Sequence, residues 1–340
     1  MVVLRWGIVS AGKISHDFVN AVNSYPKKSK DNNIVGVAAR DPTKAKEFAK
    51  LHNIDHVFDS YQAMAVSKEI DIAYIGALNP QHFELTKLFL ENGKHVLCEK
   101  PLCLNEKQAR AIISIAREKK LFLMEAVWSR FFPTYVKLEE CIKSGKIGDV
   151  LFVDVNFGVP IETVDRLSKK NLGGSAILDL GVYVLQFAQF VFKDRPVKVT
   201  ATGELNSDGV DLVDSVILEY EGGRRAILNV HSKIKLWNKA TVVGTKGRIT
   251  LNEPFHAPEE ITYSDGKTEK FPVHTSVLHY NFQNSAGLAY EAEEVKRCID
   301  LGLLESPRMS HEDSILLATL EDTVRKQVGV IYDEDNQFFF

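Results

Sequence analysis

From residue 3 to about 126, apolar runs of strand length alternate with stretches whose apolar residues recur at helical spacing. That alternation restricts this part of the chain to βαβ units on a parallel sheet. The runs predict strands near 4–10, 34–40, 70–77, 94–98 and 121–126, with helices over 13–24, 42–52, 80–92 and 105–119. The punctuation agrees. Asp41-Pro42 and Asn79-Pro80 each set a cap residue before a proline at the first turn, and Asn92-Gly93 closes a helix. After about 130 the pattern changes. A helix near 132–144 is followed by strands at 149–157, 196–205, 211–221, 224–234, 238–244 and 247–252, joined by short turns such as Glu221-Gly222-Gly223. Consecutive strands of this kind predict a large, mostly antiparallel second sheet. Helices over 287–301 and 311–328 are expected to pack on one of the sheets.

The fold class is therefore α/β, with two domains expected over 1–127 and 128–340 of the 340 residues. A net charge of −3, from 42 basic and 45 acidic residues well mixed, gives no electrostatic footprint for nucleic acid or an anionic membrane. No segment approaches the roughly 20 apolar residues of a membrane span. Cys98, Cys103, Cys141 and Cys298 lack the spacing of a metal or redox site, and no metal cluster is expected. A reducing, cytoplasmic setting fits. The closing Phe338-Phe339-Phe340 suggests a contact surface.

The first strand-to-helix turn, Val9-Ser10-Ala11-Gly12-Lys13-Ile14-Ser15, lies where a dinucleotide pyrophosphate meets helix N–H groups. The strict Gly-x-Gly-x-x-Gly is absent, its three positions being Ser10, Gly12 and Ser15. The central glycine that lets backbone approach phosphate is kept. Where an acid would hold the ribose hydroxyls of NAD, the second strand ends in Arg40. A guanidinium there can grip a 2′-phosphate, with Lys44 one turn onward, so the cofactor expected is NADP. Asp41 can pair with Arg40 or cap the helix beginning at Pro42.

Glu99-Lys100-Pro101 ends the 94–98 strand and delivers a lysine to the carboxyl edge of the sheet, where open α/β folds bind ligands. Proline restricts the lysine to extended geometry and admits a cis bond. Downstream, Gly173-Gly174 leads into an apolar helix carrying Asp179 and Tyr183, four apart and so on one face. A carboxylate among Ile177, Leu178, Leu180 and Val182 is costly unless paired, and Lys100 is the expected partner. The plainer alternative is a capping aspartate with a core tyrosine. Chemically, oxidising a carbinol requires that a proton leave oxygen as hydride leaves carbon. Lys100 would lower the Tyr183 pKa or polarise the substrate oxygen, Asp179 would orient Lys100, and Tyr183 would shuttle the proton. Asn79 and His82 follow the 70–77 strand at the same edge; His82 either contacts cofactor or substrate or is structural. Trp128 either walls a pocket or joins the domains.

At these residues, and at Ala38-Ala-Arg-Asp41, Gly244-Thr-Lys-Gly247 and Ser285-Ala-Gly-Leu-Ala-Tyr-Glu291, the chain resembles the glucose-fructose oxidoreductase (Gfo/Idh/MocA) family. The resemblance implies a Rossmann domain followed by an α/β domain with an open sheet. Many members carry histidine where Tyr183 stands, so the sequence is similar to the tyrosine-using branch, which oxidises trans-dihydrodiols and D-xylose with NADP and reduces dicarbonyls. It implies Lys100, Asp179 and Tyr183 as catalytic, and His82, Trp128 and Phe282 in the substrate pocket. Cofactor contacts are expected from Ser10, Gly12, Lys13, Ile14, Arg40, Lys44, Asn79, His82, Glu99 and Lys100. It also implies a homodimer through the second sheet. Gly158-Val-Pro-Ile-Glu-Thr-Val-Asp165 departs from the family pattern and bears on the preferred substrate.

The reading expected is an NADP-dependent dehydrogenase acting on vicinal diols. An NADPH-dependent sugar or dicarbonyl reductase, a non-catalytic NADP sensor and an NAD-assisted glycosidase are the alternatives.

Overall fold

Alternating apolar runs and amphipathic helices produce the expected first layer structure. The computed structural model describes residues 3–25, 31–274 and 278–337; the three terminal phenylalanines lie outside them. The first domain contains β1 (Leu4–Val9), α1 (Lys13–Ser24), β2 (Asn32–Ala38), α2 (Pro42–His52), β3 (His56–Val57) and α3 (Tyr61–Val66), then β4 (Ile72–Ile75), α4 (His82–Glu91), β5 (His95–Glu99), α5 (Glu106–Lys119) and β6 (Leu123–Ala126). Six parallel strands take the order β3-β2-β1-β4-β5-β6. Helices cover the sheet, so every residue of β4 and β6 is buried. The strand order reverses between β1 and β4, and the crevice beyond their carboxyl ends is where such a sheet binds ligands. β3 and α3 were not expected. Two and six residues are too short to show a period.

A 3₁₀ turn over Trp128–Phe131 leads into α6 (Pro133–Lys143), β7 (Val150–Gly158) and the short α7 (Asp165–Ser168). A π-helical turn over Ile177–Gly181 feeds α8 (Val182–Phe192). Then follow β8 (Lys198–Leu205), β9 (Asp211–Glu219), β10 (Arg225–His231), β11 (Ala240–Gly244), β12 (Gly247–Leu251), β13 (Glu260–Tyr263), β14 (Thr268–Lys270), α9 (Leu288–Asp300) and α10 (His311–Val328). The eight strands order as β14-β13-β12-β11-β7-β10-β9-β8, antiparallel except for the parallel pair β7–β10. β13 and β14 were missed because their segment is polar and short.

Residues of β10 alternate between buried and open, so one sheet face carries the core and the other stands outward. The covered face packs against α8 and α10. By length and composition the helical run Lys170–Phe192 passes for a membrane span, contrary to expectation, yet 94% of its apolar window is buried inside the protein. It is the core helix of the second domain. α9 packs on α1 rather than on the second sheet, and α10 touches both α5 and β8. The chain's last helices thus fasten the two domains together.

Candidate active site

One cleft of about 860 Å³ runs from the β1–α1 turn to the second sheet, and Ser10, Lys13, Ile14, Arg40, Asn79, Glu99, Lys100, Trp128, Asp179, Tyr183 and Phe282 all line it. At the nucleotide end the turn keeps the geometry of the missing glycines. Ser10, in the first glycine position, has φ +87°, a left-handed conformation rare outside glycine. Gly12 is extended at φ −87°, and a Cβ added there would meet nothing of the protein closer than 3.7 Å. The fold itself does not require that glycine; its missing Cβ leaves open the backbone where a pyrophosphate would rest. No side chain caps the start of α1, whose first N–H groups thus suit an anion. The close approach of the third glycine is supplied from across the turn. Ser15 Oγ is buried without a partner, and a Cβ on Gly76 would come within 2.5 Å of it.

Asp41 caps α2, accepting from Thr43 N at 2.9 Å and Lys44 N at 3.5 Å. Among the described residues Arg40 therefore makes no ion pair, and it stands exposed at the cleft beside Tyr61. Burial raises the Tyr61 pKa, offset in part by the N–H and charge of Arg40. These residues fit a dinucleotide. Lys44 is exposed on the first turn of α2 and does not line the cleft.

Lys100 and Asp179 come from different domains and meet. The Lys100–Pro101 bond is cis. Lys100 Nζ lies 3.0 Å from Asp179 Oδ1 and 2.9 Å from the Asp179 carbonyl oxygen. Its charge also sits 4.9 Å from the centre of the Tyr183 ring. Burial alone would raise the Asp179 pKa, but Lys100 and Arg166 hold it well below the usual carboxylate range. Burial works against the Lys100 ammonium, yet Asp179, Tyr183 and Glu99 outweigh it and raise its pKa. Glu99 accepts from Tyr74 Oη at 2.6 Å and from Lys100 N at 3.2 Å, fixing the strand end that carries the lysine.

Tyr183 departs from expectation. Burial pushes its phenol up to about 12, overriding the Lys100 ammonium and the Trp128 indole, which both pull it down. At neutral pH the group is therefore a neutral phenol. Trp128 Nε1 donates to Tyr183 Oη at 2.8 Å. Because an indole can only donate, the phenol is the acceptor there and its own hydrogen remains available to a ligand. Trp128 thus both walls the cleft and orients Tyr183.

His82 does not line the cleft. It is buried beneath the β4–α4 loop, where its ring nitrogens meet Pro101 O at 2.7 Å and Ala77 O at 3.1 Å, and burial lowers its pKa. Its role is to brace the Glu99-Lys100-Pro101 turn. Asn79 donates to Gly173 O at 3.1 Å, joining the domains across the cleft. Phe282 is held at the mouth by its backbone N–H on Asp17, whose carboxylate also takes Asn281 N.

Sequence reasoning missed Arg166, which donates to Asp179 Oδ1 at 2.9 Å, and the aromatic box of Phe157 and His256 around Tyr183. Arg166 and His256 lie in segments without periodic signal, while Phe157 ends a predicted strand whose neighbours across the cleft the sequence does not show. His256 is half-buried with its Nδ1 enclosed and unpartnered, and desolvation reinforced by Lys100 lowers its pKa to about 3. Val159, Pro160, Ile161 and Val164 of the divergent segment form the adjoining wall. Among the described residues no group of three metal-ligating side chains occurs.

Residues 4–127 match the oxidoreductase family with an NAD-binding Rossmann fold, and 135–250 match the GFO/IDH/MocA C-terminal domain. The chain belongs to the GFO/IDH/MocA oxidoreductase family. It is an NAD(P)-binding enzyme of that family. Trans-1,2-dihydrobenzene-1,2-diol dehydrogenase of Xenopus laevis is 45% identical over 329 residues, covering 96% of this chain and 99% of its own. The human protein of that name is 38% identical over 335 residues, covering 98% and 99%. The crystal structure of KijD10, a 3-ketoreductase from Actinomadura kijaniata in complex with NADP and TDP-benzene, aligns with TM-score 0.82 at 24% identity, over 97% of this chain and 99% of its own. At that identity it speaks to the fold alone.

Proposed function

We propose that this protein is an NADP-dependent dehydrogenase that oxidises one carbinol of a vicinal diol, with trans-dihydrodiols and aldopyranoses such as D-xylose as its substrate classes. The observation that carries this reading is the convergence of Lys100 with Asp179 and Tyr183 at one cleft. The relatives named trans-1,2-dihydrobenzene-1,2-diol dehydrogenase support the diol. Arg40, free of Asp41, supports the 2′-phosphate, and Ser10, Gly12, Lys13 and Ile14 would cradle the pyrophosphate.

When bound, the nicotinamide accepts or supplies the hydride. The protein handles the proton. Asp179 fixes the Lys100 ammonium beside the phenol, and Trp128 turns the Tyr183 hydroxyl toward the ligand. In reduction the neutral Tyr183 donates its proton to the carbonyl oxygen; in oxidation the phenol must first release that proton to solvent, and the phenolate so formed, stabilised by the Lys100 ammonium, takes the carbinol proton. The raised pKa of Tyr183 favours the donor role, which supports sugar or dicarbonyl reduction as a second reading.

Purified protein offered NADP⁺ or NAD⁺ with a naphthalene dihydrodiol and D-xylose, and NADPH with a dicarbonyl, tests both. Faster diol oxidation with NADP⁺ is the expected outcome. Turnover confined to the dicarbonyl selects the second reading, and cofactor binding without turnover overturns both. The outward face of the eight-stranded sheet, where Ser215, Asn229 and Asn156 form a hydrogen-bonded row, supports a homodimer through that face, measurable by sedimentation.

A further inference from the structure

The cleft wall beyond Asp179 holds a cation that proton transfer does not consume. Arg166, on α7, places Nη1 2.9 Å from Asp179 Oδ1, the same oxygen that Lys100 Nζ meets at 3.0 Å. One carboxylate oxygen thus serves two cations, and the three groups together carry net positive charge beside a neutral phenol. A guanidinium offers five N–H donors. Among the described residues Arg166 has no acceptor besides Asp179, and its side chain, 40% exposed, lines the cleft. The other charged groups nearby leave this excess in place. Lys235 and Glu253 pair with each other at 2.9 Å, and Glu99 is committed to Tyr74 and its neighbour's N–H. Around Arg166 the divergent segment contributes only the apolar side chains of Val159, Pro160, Ile161 and Val164 to the cleft lining.

Resting on the dehydrogenase reading of this site, we propose that Arg166 is a specificity-determining residue that selects diol substrates bearing a carboxylate. The free edge of its guanidinium matches two carboxylate oxygens, the geometry in which arginine forms its strongest pairs. In the half-open cleft that pairing is screened less than at the open surface. The group transferred is unchanged: hydride still leaves carbon for the nicotinamide, and the hydroxyl proton still passes to the Tyr183 phenolate. Arg166 only decides which carbinol is presented.

D-xylose and D-glucuronate are a matched pair of probes, the same pyranose with a carboxylate replacing one hydrogen on C5. Calorimetry on the NADPH-bound protein at low ionic strength is expected to show D-glucuronate binding ~10-fold or more tightly than D-xylose. Added salt should shrink that ratio. The kcat/KM ratio between the two sugars with NADP⁺ should follow the binding ratio. Because Arg166 also holds Asp179, the ratio is the readout rather than either rate. Arg166→Met should bring it to about one, while Arg166→Lys, which keeps a charge on Asp179, should retain part of it. Equal or weaker binding of D-glucuronate by the native protein, or an unchanged ratio in Arg166→Met, overturns the proposal. Diol turnover without the carboxylate preference sinks this inference alone. The preference in binding with no turnover of any diol sinks the dehydrogenase reading alone.

Discussion

The two ends of the cleft are built in opposite ways. The nucleotide end comes from a single strand-turn-helix and the end of the next strand, so Ser10, Gly12, Ile14 and Arg40 lie within about thirty residues of one another. The substrate end is assembled from Lys100, Trp128, Phe157, Arg166, Tyr183, His256 and Phe282, each on a different segment. Local construction preserves backbone shape even where the residue type drifts, as the left-handed φ of Ser10 shows. Assembly from distant segments preserves a few contacts, here Lys100 with Asp179 and Trp128 with Tyr183, and leaves the walls free to change.

The largest effect is expected where the distant segments meet. Tyr183→Phe keeps the ring in its aromatic box and removes only the proton carrier, so kcat should fall by roughly 10²–10⁴ with cofactor binding intact. An unchanged kcat would strip the phenol of its role. At the local end, Arg40→Ala should weaken NADP far more than NAD, by ~1.5–3 kcal/mol for a lost charged hydrogen bond; equal losses in titrations with both cofactors would break the contrast. Gly12→Ala sharpens it. With φ at −87° and nothing of the protein within 3.7 Å, the added methyl should change stability by less than about 1 kcal/mol yet displace the pyrophosphate. Weak cofactor binding in a variant with an undisturbed melting temperature is the outcome to look for.

The smallest effect concerns stability in acid. The unfolded imidazole of His256 titrates near 6.5, while burial and Lys100 lower the folded value to about 3. The unfolded chain therefore takes the proton first, so stability is complete above pH 6.5 and declines on acidification toward pH 3, by up to ~1.4 kcal/mol per pH unit. Urea denaturation at pH 7 and pH 5 should show His256→Gln losing ~2 kcal/mol less than the native protein across that interval. Equal losses would mean that His256 does not set this acid limb.

Legibility in the sequence followed the same division. The βαβ alternation, the Asp41-Pro42 helix start and the Glu99-Lys100-Pro101 strand end are local signals, and each corresponds to an element of the first domain; at Asn79-Pro80 a 3₁₀ turn precedes α4 instead, and the Asn79 side chain reaches across the cleft rather than capping the helix. Asp179 and Tyr183 were readable because a helix repeats within four residues. The pKa of Tyr183 was not, since the expectation weighed Lys100 without the burial supplied by Phe157, Trp128 and His256. His82 misled for a related reason: its position at the sheet edge is visible in sequence, but the two carbonyls that occupy its ring are not. Arg166 and His256 carry no pattern at all, being isolated residues in loops or short turns that only the tertiary fold brings to the cleft.

The π-helical turn over Ile177–Gly181 accommodates one residue more than a regular turn would. Removing that residue would restore a regular turn and shift Asp179 relative to α8, loosening its hold on Lys100 while Tyr183 kept its seat. The lysine's anchorage is therefore written in chain length as well as in side chains, and a single deletion could silence proton handling without altering any of the reacting groups.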